Sequence, residues 1–169
     1  MNWKQLIIRK LKPTQYVKNI HEINFNELKA IGIKGIIFDL DDTLVPRTNK
    51  EVSLESADLV SKLKEQGFKL CLTSNSRHPS RVKYFAEALD LPPQFLAGKP
   101  LPSAFKKALQ ILGTSPKETA VIGDQLFMDI LGGNIMQMYT ILVQYQTPET
   151  FFLRQFMRWT EAQVLSLIK

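Results

Sequence analysis

Residues 36–46 read IIFDLDDTLVP: an apolar run leads into three aspartates, Asp39, Asp41 and Asp42, before the chain turns apolar again. Like charges this close repel, so either a cation sits among them or the segment is an ordinary solvated turn. The preceding KGIIFD (34–39) is short, apolar and bounded by glycine and aspartate, which predicts a strand buried on both faces. Working outward, FKLCLTS (68–74), QFLAG (94–98), TAVIGD (119–124) and YTILVQ (139–144) read as four further strands. Between them lie apolar residues at helical spacing: Ala57, Val60 and Leu63; Val82, Phe85, Ala86 and Leu89; Phe105, Ala108, Leu109 and Leu112. Gly67 and Gly113 are suitable helix stops. Another helix is expected near 127–133, and the tail from Pro148 is amphipathic and helical. Such alternation predicts a doubly wound, Rossmann-like α/β fold with a five-stranded, mostly parallel sheet.

The chain has 169 residues, 44% hydrophobic and 22% charged, enough for one soluble domain with a sizeable core. No run approaches the ~20 apolar residues that span a bilayer, and the N-terminus lacks a secretory apolar stretch. The expected location is therefore cytoplasmic. The single cysteine, Cys71, reads as a buried strand residue. Net charge is +6, and Lys4, Arg9, Lys10, Lys12 and Lys18 supply five of those charges within the first 20 residues, which hold no acid. Interleaved with them are Trp3, Leu6, Ile7, Ile8 and Leu11. Residues 1–22 thus read as a basic arm preceding a single domain over 23–169. The arm suits an anionic membrane surface or nucleic acid, and equally suits docking on the domain.

In a parallel sheet, ligands meet the carboxyl ends of the strands. Those ends carry Asp39 and Asp41, Ser74 and Asn75, Lys99, and Asp124 with Asp129 five residues on. Clustered carboxylates suit a hard divalent cation such as Mg²⁺, which takes one or two of them plus water and phosphate oxygens. The lysine, the Ser74 hydroxyl and backbone amides can hold a phosphoryl group. Asp39 and Asp41 stand two apart and point to one side of an extended chain, so one can attack phosphorus while the other protonates the leaving oxygen. Each motif alone is weak, and polar caps at strand ends are the competing reading of any single one.

Taken together, these motifs resemble the haloacid-dehalogenase (HAD) superfamily of phosphatases. Asp39-Leu40-Asp41-Asp42-Thr43 matches DxDxT, Ser74-Asn75 the second motif, Lys99-Pro100 the third, and Gly123-Asp124 through Asp129 the fourth. The resemblance implies that Asp39 is the nucleophile and Asp41 the general acid and base. It implies that Ser74 and Lys99 bind the phosphoryl group with help from Asn75. Mg²⁺ would be held by Asp39, the Asp41 carbonyl and Asp124, with Asp129 orienting a metal water or Lys99. Arg47, Arg77, His78 and Arg81 are candidates for contact with the rest of the substrate, or solvated residues at a helix start. Only 29 residues separate Thr43 from Thr73, and 23 separate Asn75 from Lys99, so no cap domain fits and the site is expected to be open.

The stretches LKAIGIKGIIFDLDDTLVP and DILGGN are similar to YqeG-type members (subfamily IIIA), which resemble phosphatidylglycerophosphate phosphatases. That likeness implies a lipid-headgroup substrate and peripheral contact with the inner face of an anionic membrane. It departs from the relatives at Asp42, Met128 and Ile135, which leaves the substrate more open than the chemistry. The tail aromatics Phe152, Phe156 and Trp159 are expected to pack on the sheet, with a membrane-facing role as the alternative, which is also open to Phe151. Rival functions are a phosphatase acting on a soluble phosphometabolite or polynucleotide end, and a non-catalytic receiver-like or nucleic-acid-binding module. No nucleic-acid partner is expected. A receiver places its phosphoacceptor after the third strand, where this chain has Lys99, and no phosphate-binding GxxxxGK[ST] loop occurs.

Overall fold

A computed structural model describes residues 8–145 and 147–168. Its centre is β2 (Gly35–Phe38), four residues buried on both faces. Parallel neighbours flank it: β3 (Lys69–Thr73) on one side and β5 (Thr119–Gly123) on the other. The sheet continues through β6 (Tyr139–Val143) to β1 (Gln15–Val17) at one edge and ends at β4 (Pro93–Gln94) at the other, in the order β1-β6-β5-β2-β3-β4. Every pairing is parallel.

Alternation along the strands decides which helix covers which face. Ile36 and Phe38 face a core with Leu70, Leu72, Ile122, Val60, Leu63, Val82 and Phe85. That core lies under α1 (Phe25–Ala30), α2 (Leu54–Glu65) and α3 (Pro79–Ala88). Ile37 points the other way, with Cys71 and Val121, onto Phe105, Ala108 and Leu112 of α4 (Pro102–Leu112). The chain then follows a wide π-helical turn (Leu126–Ile130) into the short α5 (Leu131–Ile135). The long α6 (Phe152–Ile168) closes the sequence; its Val164 and Leu165 pack with Leu11, Leu126, Ile130 and Leu142. The local signals are ordinary: Ser53 caps α2 by accepting from Ser56 N at 3.1 Å, and Gly113 ends α4 at φ +61°. Cys71 is fully buried, and burial pushes its thiol pKa up to about 12, consistent with a packing residue.

Two expectations change, and for residues 8–12 one of two open alternatives holds. Among the described residues the sheet has six strands, because Gln15–Val17, read as part of the basic arm, pairs with β6 as an edge strand. Three residues are too short to show a period. Residues 8–12 of the arm dock on the domain: Leu11 is buried, and Asn134 Nδ2 donates to the carbonyls of Lys10 (2.7 Å) and Lys12 (2.9 Å). Trp3, Lys4, Leu6 and Ile7 lie outside the described residues. The strand expected at 94–98 stops at Gln94, because Leu96 (φ +44°) and Gly98 (φ +79°) turn the chain toward Lys99.

Gly132 is needed for packing: a Cβ there would lie 2.1 Å from Phe105 Cε2 and 3.1 Å from the Pro100 carbonyl. Gly132→Ala is expected to lower stability by about 1–3 kcal/mol through overpacking. Denaturant unfolding measures this, and adding Phe105→Leu should recover part of the loss.

Candidate active site

The carboxyl ends of β2, β3 and β5 converge on a buried charge cluster. Lys99 Nζ donates to Asp39 Oδ1 (2.6 Å), Asp129 Oδ1 (2.7 Å) and the Thr73 carbonyl (2.9 Å). All three charged residues are at most 5% exposed. Burial alone would lower the Lys99 pKa, but the carboxylates of Asp129 and Asp39 outweigh it and raise it. Burial and the Asp129 charge, against the pull of Lys99, push the Asp39 carboxyl up to about 6. Asp129 also accepts from Gln125 N at 3.2 Å. Its carboxyl fits only because residue 123 is glycine: a Cβ there would fall 2.2 Å from Asp129 Cγ.

Asp124 lies beside this cluster. Oxygens of Asp39, Asp124 and Asp129 come within 4.8 Å of one another, so the three acids can share a cation. Asp124 Oδ1 is buried and has no hydrogen-bond partner among the described residues. Oδ2 is taken by the Arg158 guanidinium, which also donates to the Asp124 carbonyl at 2.7 Å. Arg158 in turn pairs with Glu161 at 3.0 Å, and Glu161 accepts from Phe127 N at 3.3 Å. Burial and the Asp39 charge hold the Asp124 pKa well above the usual carboxylate range despite Arg158.

The remaining candidates rim a cleft of about 200 Å³ whose lining includes Asp39, Asp41, Arg47, Ser74 and Asn75. Asp41 is not one of the three clustered acids and pairs with Arg81 Nε at 3.0 Å; burial still raises its pKa. Ser74 is buried with its hydroxyl accepting from Ser76 N at 3.0 Å. Asn75 serves the lysine loop: its carbonyl accepts from Gly98 N (3.0 Å) and Lys99 N (2.9 Å), and its amide donates to the Lys99 carbonyl. Asp42 adopts φ +62°, accepts from Arg47 N (3.2 Å) and the Thr147 hydroxyl, and forms an ion pair with Arg47. It is a clamp on the rim. Arg47 then reaches Glu149 at 2.9 Å, while Arg77 and His78 stand exposed on an adjoining groove.

Several site residues escape sequence reasoning. Arg158 and Glu161 come from α6, as do the lining residues Arg154 and Met157. The available signal was two charges three apart in the inward stripe that continues through Leu165 and Ile168. The aromatic residues expected to pack on the sheet face outward: Phe152, Phe156 and Trp159 are 77%, 56% and 59% exposed.

Such a lysine-bridged acidic cluster at the carboxyl edge of a doubly wound sheet is what phosphoryl-transfer chemistry calls for. The chain belongs to the haloacid dehalogenase-like hydrolases, whose family model matches residues 48–136, and it is a phosphatase of that kind. The mitochondrial PGP phosphatase model matches residues 2–88. The probable phosphatase YqeG of Bacillus subtilis (strain 168) is 38% identical over 157 residues, 93% of this chain and 91% of that protein. The acid sugar phosphatase of Staphylococcus aureus (strain MRSA252) is 38% identical over 97 residues, 57% of this chain and 32% of its own length. Among solved structures, the cobalt-bound deoxy-D-mannose-octulosonate 8-phosphate phosphatase of Haemophilus influenzae aligns with TM-score 0.53 at 14% identity. The alignment covers 83% of this chain and 91% of that one, a likeness of fold alone.

Removing Arg158 would strand the buried Asp124 and Glu161 charges. Arg158→Met is expected to cost about 3 kcal/mol in metal-free chemical unfolding, and adding Asp124→Asn should recover part of it.

Proposed function

We propose that this phosphatase hydrolyses a phosphomonoester through an aspartyl-phosphate on Asp39, and that its substrate is the terminal phosphate of phosphatidylglycerophosphate at a membrane surface. The observation that carries the chemistry is the Asp39–Lys99–Asp129 cluster beside Asp124, at the foot of an open cleft. The mitochondrial PGP phosphatase match over residues 2–88, which includes the basic segment and the Asp39–Thr43 motif, supports the substrate. Among the described residues no helix is long and apolar enough to cross a membrane, and we take the encounter to be peripheral, at the cytoplasmic face.

In this reading an Asp39 carboxylate oxygen attacks phosphorus as the bond to the leaving oxygen breaks. Asp41, its pKa raised by burial, delivers the proton to that oxygen. Water then attacks the aspartyl-phosphate while Asp41 takes its proton, releasing phosphate and restoring Asp39. Lys99 and Ser74 hold phosphoryl oxygens, and Asn75 contributes by fixing the Lys99 loop. Arg47, which lines the cleft, and Arg77 and His78, which line the adjoining groove, contact the rest of the substrate in this reading. A divalent cation fits the acids present, since carboxylate oxygens of Asp39, Asp124 and Asp129 lie within 4.8 Å of one another and Asp124 Oδ1 is buried with no partner among the described residues. We assign it as Mg²⁺, held by Asp39, Asp124 and the Asp41 carbonyl; it supplies positive charge against the phosphoryl oxygens.

Asp39→Asn is expected to reduce turnover of an aryl phosphate to background, and Asp41→Asn to reduce it about 10²–10⁴-fold. Full activity in Asp39→Asn would overturn the mechanism. Phosphatidylglycerophosphate in vesicles should be the preferred substrate; equal or better kcat/KM on soluble sugar phosphates would transfer the assignment to the soluble class, toward which the acid sugar phosphatase likeness points.

Metal binding should also titrate. Asp39, raised to about 6, is partly protonated below that pH, and the cation needs the ionised form. Mg²⁺ affinity in calorimetry is therefore expected to weaken at least about tenfold per pH unit below pH 6, with proton release on binding; the raised Asp124 carboxyl adds to the linkage. A flat profile between pH 5 and 7 would contradict it.

A further inference from the structure

The first half of α6 inverts the usual amphipathic arrangement, whereas its second half packs Val164, Leu165 and Ile168 inward. The inward face of the helix carries the buried charges Arg158 and Glu161, whereas Phe152, Phe156 and Trp159, spaced i, i+4, i+7, share one exposed stripe. Leu153 (64% exposed) and Leu167 (74%) flank or extend that stripe, and Phe156 and Trp159 stack at 6.0 Å. Turning the helix over would bury the aromatics but withdraw Arg158 from Asp124. The catalytic cluster, together with the packing of Val164 and Leu165, therefore sets the rotation of α6 and leaves its aromatic stripe to water.

We propose that this face docks on an anionic lipid bilayer, with Phe152, Phe156 and Trp159 entering the interface and the catalytic cleft opening at headgroup depth. The idea rests on the phosphatase reading above and specifies how the enzyme meets its surface. Contiguous exposed apolar side chains on a soluble chain mark a contact surface. Charge selects the occupant. The exposed surface of α6 has one charged residue, Arg154, and no acid. Phe151 and Arg154, at the start of the helix, line the same groove of about 480 Å³ as Arg77, His78 and Arg81. Aromatic residues beside cations, on a chain of net charge +6, match the layered chemistry of a bilayer surface: acyl boundary below, phosphates above. The groove leads from those cations to Asp41, so a phosphorylated headgroup need not leave the surface to reach the cleft.

The test uses the full chain with Trp3→Phe, making Trp159 the sole tryptophan reporter. Phosphatidylcholine vesicles containing phosphatidylglycerol should shift its emission to the blue, and vesicles of phosphatidylcholine alone should do so less. In co-sedimentation, Phe152→Ser/Phe156→Ser/Trp159→Ser is expected to weaken binding at least tenfold, while kcat/KM on a soluble aryl phosphate stays unchanged because none of the three lines the cleft. An unshifted emission or undiminished vesicle binding of the triple variant overturns the proposal. A dimer that the triple variant converts to monomer, without vesicle binding by either, gives the face to a second copy and also overturns it. Vesicle binding through α6 combined with preference for soluble phosphates leaves the docking face standing and refutes the lipid substrate; equal hydrolysis of vesicle substrate by both chains does the reverse.

Discussion

Lys99 is held between Asp39 and Asp129 with almost no access to water, and much of the molecule is arranged to permit it. Ions lose several kcal/mol each on leaving water, and that cost is recovered only where geometry and further hydrogen bonds satisfy them. Here Thr73 supplies a carbonyl to the ammonium, Gln125 an amide to Asp129, and Gly123 the space that the Asp129 carboxyl occupies. The loop after β4 is bent by left-handed residues and pinned by Asn75 so that the lysine arrives at the right height.

The same electrostatic demand reaches the last helix. Asp124 adds a third carboxylate to the triad, and Lys99 alone does not balance it. Arg158 brings a second cation, Glu161 steadies that cation, and the pair binds α6 to the catalytic edge of the sheet. Buried charges thereby share the inward face of the helix with Val164, Leu165 and Ile168, while the aromatic residues of its first half point outward. This departs from what hydrophobic burial of the aromatics alone would select; the helix is held in this rotation by the Arg158–Asp124 pair together with the apolar packing of Val164, Leu165 and Ile168.

The cleft is open without being unwalled. Between β2 and β3 the chain forms only a loop and α2, and between β3 and β4 only a loop and α3. In the absence of a cap, the rim is assembled from distant pieces: Asp42 gathers Arg47 and Thr147, Arg47 reaches Glu149, and α6 contributes Arg154 and Met157. Asp42, the aspartate of the opening motif with no catalytic assignment, is structural, and its left-handed backbone is one that aspartate tolerates.

What could be read from sequence was whatever depends on local order. Short apolar runs and helical spacing located β2, β3, β5 and β6 with the helices between them, and strand ends in a parallel sheet must share an edge, so Asp39, Asp41, Ser74, Lys99 and Asp124 could be assembled in advance. Gln15–Val17 was too short to show a period, and the truncation of β4 came from backbone turns serving Lys99. Pairing across long separations was decided by tertiary structure alone: Arg158 with Asp124 over 34 residues, Arg81 with Asp41 over 40, Thr147 with Asp42 over 105. Such partners leave no periodic trace, because an ion pair is selected by where the folded backbone puts two charges, and a helix turns to whichever face satisfies the costliest buried group.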